Sequence, residues 1–110
     1  MITEIKKILI VDDSPNDVEL TINTLMKNNL ANEIAVAEDG EEALDYLYKR
    51  GKFTGRENGN PTIIIMDIKM PKMDGIEALK HVRSNPEFKL IPVIMLTSSG
   101  EEKDLVDSYK

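Results

Sequence analysis

The chain has no cysteine, no tryptophan, a single histidine and only two phenylalanines in 110 residues. Without cysteine there is no disulfide scaffold, no thiolate zinc site and no cysteine nucleophile. The lone histidine, His81, leaves a histidine-rich metal site or a Ser-His-Asp triad almost nothing to work with. Positive charge is scarce as well: 14 basic residues face 20 acidic ones, for a formal charge of −6. A nucleic-acid surface needs clustered Lys and Arg, so no nucleic-acid partner is expected. No apolar run approaches the roughly 18 residues of a membrane span, and the N-terminal segment Met1-Ile2-Thr3-Glu4-Ile5-Lys6-Lys7 lacks a signal-peptide core. The expectation is one small, acidic, cytoplasmic domain without a membrane partner, in which carboxylates are the abundant chemical tools.

What is present alternates between short apolar runs and segments of helical period. Ile8-Leu9-Ile10-Val11 reads as a strand buried on both faces, ending at Asp12-Asp13. Ser14-Pro15 supplies an N-cap and a first-position proline for a helix that carries Val18, Ile22, Leu25 and Met26 on one face and stops at Asn28-Asn29. Residues 33–38 form a second strand whose charged ends, Glu33 and Glu38, place it near a sheet edge. Asp39-Gly40 turns into a helix presenting Ala43, Leu44, Leu47 and Tyr48. The segment 51–61, rich in Gly, Asn and charge, reads as an inserted loop with no packed core of its own. Thr62-Ile63-Ile64-Ile65-Met66 is the most strand-like stretch, with Asp67 at its end. After a proline loop, Asp74 and Glu77 have capping-box spacing, and the helix they open buries Ile76, Leu79 and Val82 before Asn85-Pro86 ends it. Residues 91–96 form a fourth strand with Thr97 at its end, and residues 101–110 begin a fourth helix.

This order implies an α/β fold with parallel strands, right-handed crossovers and helices on both faces. Ligands of such sheets bind beyond the carboxyl ends of the strands, where strand order reverses. Asp12-Asp13, Asp67 and Thr97 all stand at such ends. If the first and third strands are neighbours, three carboxylates converge. Two such charges about 4 Å apart repel by about 4 kcal/mol at an effective dielectric near 20. A hard divalent cation offsets this, and an open all-oxygen site suits Mg²⁺ with a phosphate partner. One carboxylate could then act as nucleophile on phosphorus, and Asp67, alone at the end of the central strand, is the best placed.

The runs Ile8-Leu9-Ile10-Val11-Asp12-Asp13-Ser14, Ile65-Met66-Asp67-Ile68-Lys69-Met70-Pro71-Lys72-Met73-Asp74-Gly75 and Pro92-Val93-Ile94-Met95-Leu96-Thr97 resemble the receiver domain of two-component response regulators. The resemblance covers essentially the whole chain, residues 1–110. It implies a flavodoxin-like, doubly wound parallel sheet with strand order 2-1-3-4. It implies phosphorelay signalling in which Asp67 accepts a phosphoryl group from a sensor histidine kinase, with Mg²⁺ as cofactor. Asp12 and Asp13 would be metal-site carboxylates beside Asp67, with the backbone carbonyl of Lys69 as a further ligand. Thr97 would be the switch hydroxyl, and Pro71, Asp74 and Gly75 would shape the wall of the site. The long loop 51–61 is similar to that of single-domain regulators that work with bacterial phytochromes. The family continues into a fifth strand, whose lysine binds the phosphoryl group, and a fifth helix. This sequence ends at the start of the fourth helix, and Lys103 and Lys110 are not at the matching position.

Other readings of the same residues compete. Asp13 alone is more often a helix cap than a ligand; it is the combination with Asp12, Asp67 and Thr97 that points to a site. Met66, Met70, Met73 and Met95 fit core or loop packing, and His81 fits an exposed position. A phosphoacceptor of this kind is not a turnover enzyme. A metal-dependent phosphatase would want a second Asp two residues beyond a nucleophilic Asp on the first strand, and a cap domain. An assembly module is the alternative of another class: without a fifth strand, Val93-Ile94-Met95-Leu96 would be an apolar edge through which the chain could form a homo-oligomer.

Overall fold

The computed structural model describes residues 6–96. Within them β1 (Lys7–Val11), α1 (Pro15–Lys27), β2 (Glu33–Ala37), α2 (Gly40–Tyr48), β3 (Ile63–Asp67), α3 (Gly75–Ser84) and β4 (Val93–Leu96) follow one another, with a 3-10 turn at Gly51–Phe53. Thr97 and the expected fourth helix lie outside the described residues. The four strands form one parallel sheet in the order β2-β1-β3-β4, the flavodoxin-like arrangement expected. β2, with its charged ends, is an edge strand, and β4 is the other edge of the described sheet. None of the described helices is long and apolar enough to cross a membrane.

Strand alternation divides the core in two. Leu9, Val11, Ile64, Met66 and Met95 face α2 and α3, where they meet Ala43, Leu44, Leu47, Ala78 and Val82. Ile8, Ile10 and Ile65 face α1, packing on Leu25 with Val18 and Ile22 half-buried beside them. The helices start where the residue types require. Ser14, Asp39 and Asp74 are extended N-caps whose side chains accept from Asp17 N, Glu42 N and Glu77 N, which satisfies donors that the first turn leaves open.

Several packing expectations need correction. Ala43, Leu44 and Leu47 of α2 are buried as expected, but Tyr48 is 40% exposed and Tyr46 is the buried tyrosine of the helix. Met26 is exposed, because Leu25 takes the inward position at the end of α1. In α3 the buried residues are Gly75, Ala78 and Val82, while Ile76 and Leu79 are only half-buried. At the start of the helix a side chain has no room, since a Cβ on Gly75 would meet the Asp67 carbonyl. Phe88, 1% exposed, and Ile91 belong to the core although they lie in the segment after α3. The methionines named above are indeed core or packed against it, and His81 is exposed.

The segment 51–61 is built rather than bare. The Arg56 guanidinium stacks 3.9 Å from the Tyr46 ring centroid. It donates to the Tyr46 carbonyl at 2.8 and 3.0 Å and to the carbonyls of Asn58 and Gly59. Phe53 makes an edge-to-face contact with Tyr46 at 5.0 Å between ring centroids. Asn58 Nδ2 donates to the Tyr46 hydroxyl and to Glu33. One cation thus collects carbonyls that a turn-rich loop would otherwise leave to water. Arg56→Ala is expected to lower stability by about 2 kcal/mol in urea unfolding, with Arg56→Lys recovering little, since an ammonium cannot reproduce the planar fork.

Candidate metal and phosphoryl site

β1 and β3 are paired neighbours with Val11 opposite Met66, so Asp12 and Asp67 leave the sheet side by side. The Asp12 amide still donates to the Ala37 carbonyl of β2 at 2.9 Å, which holds the chain extended one residue past the strand. Asp13 then begins the turn into the α1 cap. Carboxylate oxygens of Asp12, Asp13 and Asp67 lie within 4.8 Å of one another. Asp12 and Asp67 are buried and Asp13 is exposed, so the cluster opens to solvent on one side.

The three carboxyls are held differently. Asp12 Oδ1 accepts from the Ser14 amide at 2.9 Å. Asp67 Oδ1 is buried with no hydrogen-bond partner. Burial raises the Asp12 carboxyl above its ordinary value; the Ser14 hydrogen bond opposes this, and Asp17 and Asp13 add to it. Asp67 is pushed up to about 6, first by burial and then by the charge of Asp12. Backbone hydrogen bonds from Lys69 and Ile68 pull the other way. A buried, unpartnered carboxylate oxygen among like charges is unfavourable as it stands. The donor set is all oxygen, crowded with negative charge and open on one side, which fits Mg²⁺ or Mn²⁺.

The loop between β3 and α3 is held by close backbone contacts. The Gly75 amide donates to the Ile68 carbonyl at 2.8 Å, and the Gly40 amide to the Met73 carbonyl at 3.0 Å. A Cβ on Gly75 would collide with the Asp67 carbonyl, and one on Gly40 with the Met73 carbonyl. Lys72, in the left-handed region at φ 65, places its ammonium 3.9 Å from the buried Asp39 carboxylate. Of the residues singled out from sequence, Asp12, Asp13 and Asp67 come together, and Lys69 adjoins them through its backbone. Asp74 caps α3, as its capping-box spacing predicts, accepting from Glu77 N at 2.9 Å, and Pro71 is exposed. Thr97 lies outside the described residues. The Gly40 contact was not anticipated: Asp39-Gly40 signalled a turn, but nothing local signalled which loop would press on it.

Protonation gives this cluster a pH signature. A carboxyl whose value is raised by folding favours the folded state when protonated. That contribution is complete below the ordinary carboxylate range and is lost as pH rises through about 6. With a chelator present, stability is therefore expected to fall between about pH 4 and pH 7 by up to about 3 kcal/mol. Urea unfolding at several pH values checks this, and Asp67→Asn should flatten most of the slope.

Comparison with known proteins agrees with this geometry. Residues 8–110 match the family model described as response regulator receiver domain. The chain is 35% identical over 105 residues to response regulator Rcp1 of Synechocystis, covering 96% of this chain and 70% of the relative. Among solved structures, the bacteriophytochrome response regulator AtBRR superposes with a TM-score of 0.85 at 50% identity, over 97% of this chain and 76% of the other. The phosphorylated cyanobacterial phytochrome response regulator RcpA gives 0.81 at 35% identity, over 96% and 74%. A structure of Rcp1 has been solved in a Mn²⁺-bound form. From its fold, its acidic cluster and these matches, the chain belongs to the response regulator receiver domains of two-component signalling.

Proposed function

We propose that Asp67 is the phosphoacceptor of this receiver and that its donor is the phosphohistidine of a sensor histidine kinase. The observation that carries this reading is the buried Asp67 Oδ1, unpartnered beside two further carboxylates. In the transfer, an Asp67 oxygen forms the new bond to phosphorus as the bond from phosphorus to the donor imidazole nitrogen breaks; that nitrogen keeps the bonding pair, and the ring leaves neutral because its other nitrogen already carries a proton. Asp12, Asp13, Asp67 and the backbone carbonyl of Lys69 would hold Mg²⁺, which neutralises the carboxylates and the equatorial phosphoryl oxygens. The protein's own part is positional. Ser14 fixes Asp12, the amide bonds from Lys69 and Ile68 steady Asp67, and the loop of Pro71, Asp74 and Gly75 walls the site. Thr97 is the hydroxyl that meets the phosphoryl group when the domain switches, biasing two conformations through contacts made in only one of them.

Likeness to regulators named for phytochromes supports a phytochrome-type kinase as the donor. Incubation with acetyl phosphate and Mg²⁺ is expected to add the mass of one phosphoryl group, labile to alkali. The addition should vanish in Asp67→Asn and with excess chelator. An unchanged mass in the unmodified protein with Mg²⁺ would refute the assignment.

A further inference from the structure

On one face of the sheet a single described helix, α1, lies over four strands. A helix about 10 Å across cannot cover four strands spaced about 4.8 Å apart, so among the described residues a strip remains on each flank. The strip toward β4 is lined by Leu20, Thr21, Thr24, Ile94 and Leu96 and carries no charge. The strip toward β2 is different. It is a groove of about 590 Å³ whose floor is Val18 and Ile22 of α1 and Val36 of β2. All three are only half-buried. Its rim carries Asp13, Glu19 and Glu38, and none of its nine lining residues is Lys or Arg. Its outer wall is β2, an edge strand whose far side is unpaired in the sheet.

We infer that this groove between α1 and β2 is a docking surface for a basic, amphipathic peptide segment of a partner protein: one apolar side chain seated on Val18, Ile22 and Val36, with flanking Lys or Arg paired to Glu19 and Glu38. The apolar floor supplies burial, and the one-signed rim selects for positive charge and against acidic segments. The partner is read by these contacts whether or not Asp67 accepts a phosphoryl group. Asp12 and Asp13 of this groove belong to the carboxylate cluster, whereas Glu19 and Glu38 lie outside it, so with a cation on the cluster the rim keeps the charge of these two glutamates.

The test is an amide NMR titration of the whole chain, with saturating Mg²⁺ present, against a short peptide alternating Lys and Leu. A Glu-Leu peptide serves as the opposite-charge probe. Saturable shifts centred on Val18, Ile22, Val36 and Glu38 are expected with the basic peptide and none with the acidic one. The double reversal Glu19→Lys with Glu38→Lys should weaken binding by at least about tenfold. A charge-matched reversal elsewhere, Glu41→Lys with Glu57→Lys, should leave it nearly unchanged; all four glutamates but no core residue are altered, so folding is preserved. Equal loss in both double variants, shifts scattered over the surface, or no saturable binding would overturn the proposal. So would shifts of the same residues on raising protein concentration alone, because the occupant would then be a second copy of this chain.

Discussion

The crowding of three carboxylates beyond the ends of β1 and β3 is the constraint around which the rest of the molecule is arranged. It follows from one strand pairing. With Val11 opposite Met66, the next residues of both strands are aspartates that must share one pocket. Charges at such distances repel by several kcal/mol even at an effective dielectric near 20. The protein meets that cost with few internal donors: Ser14 serves one oxygen of Asp12, and one oxygen of Asp67 is served by nothing. A site left this negative is built for something positive to enter it.

The surrounding structure keeps that pocket from relaxing. The loop after β3 is pressed against its own strand at Gly75 and against the start of α2 at Gly40. A side chain at either glycine would push the loop away from Asp67. Because α2 begins at that contact and carries Tyr46 at its far end, the acidic site and the Arg56-clamped segment share one rigid helix. The sheet itself is treated unequally. Two described helices cover one face and one described helix covers the other, and the acidic groove lies beside β2 on the more sparsely covered face.

The strands were legible because β-branched runs bounded by Asp, Asn and Gly leave little ambiguity, as in Ile8–Val11 and Ile63–Met66; their order followed only from the resemblance to receiver domains. The helix starts were legible because Ser14, Asp39 and Asp74 cap by local chemistry. The cluster was legible in part: strand ends could be listed from sequence, while their convergence depended on β1 and β3 being neighbours. What was not legible depended on long-range packing. The inward choice of Tyr46 over Tyr48 is set by the Arg56 and Phe53 contacts, which join residues ten and seven positions away across a loop that composition alone marks as irregular. Phe88 is read as loop until α3 turns it back onto the core.

Titration of the Asp67 carboxyl itself, followed by carbon NMR with and without Mg²⁺, bears most directly on whether this pocket is a cation site. Without Mg²⁺ the midpoint should lie near the raised value of about 6. With Mg²⁺ it should move well down, because a bound cation favours the ionised form. A midpoint in the ordinary carboxylate range that Mg²⁺ does not shift would contradict the reading of Asp12, Asp13 and Asp67 as one coupled, cation-binding site.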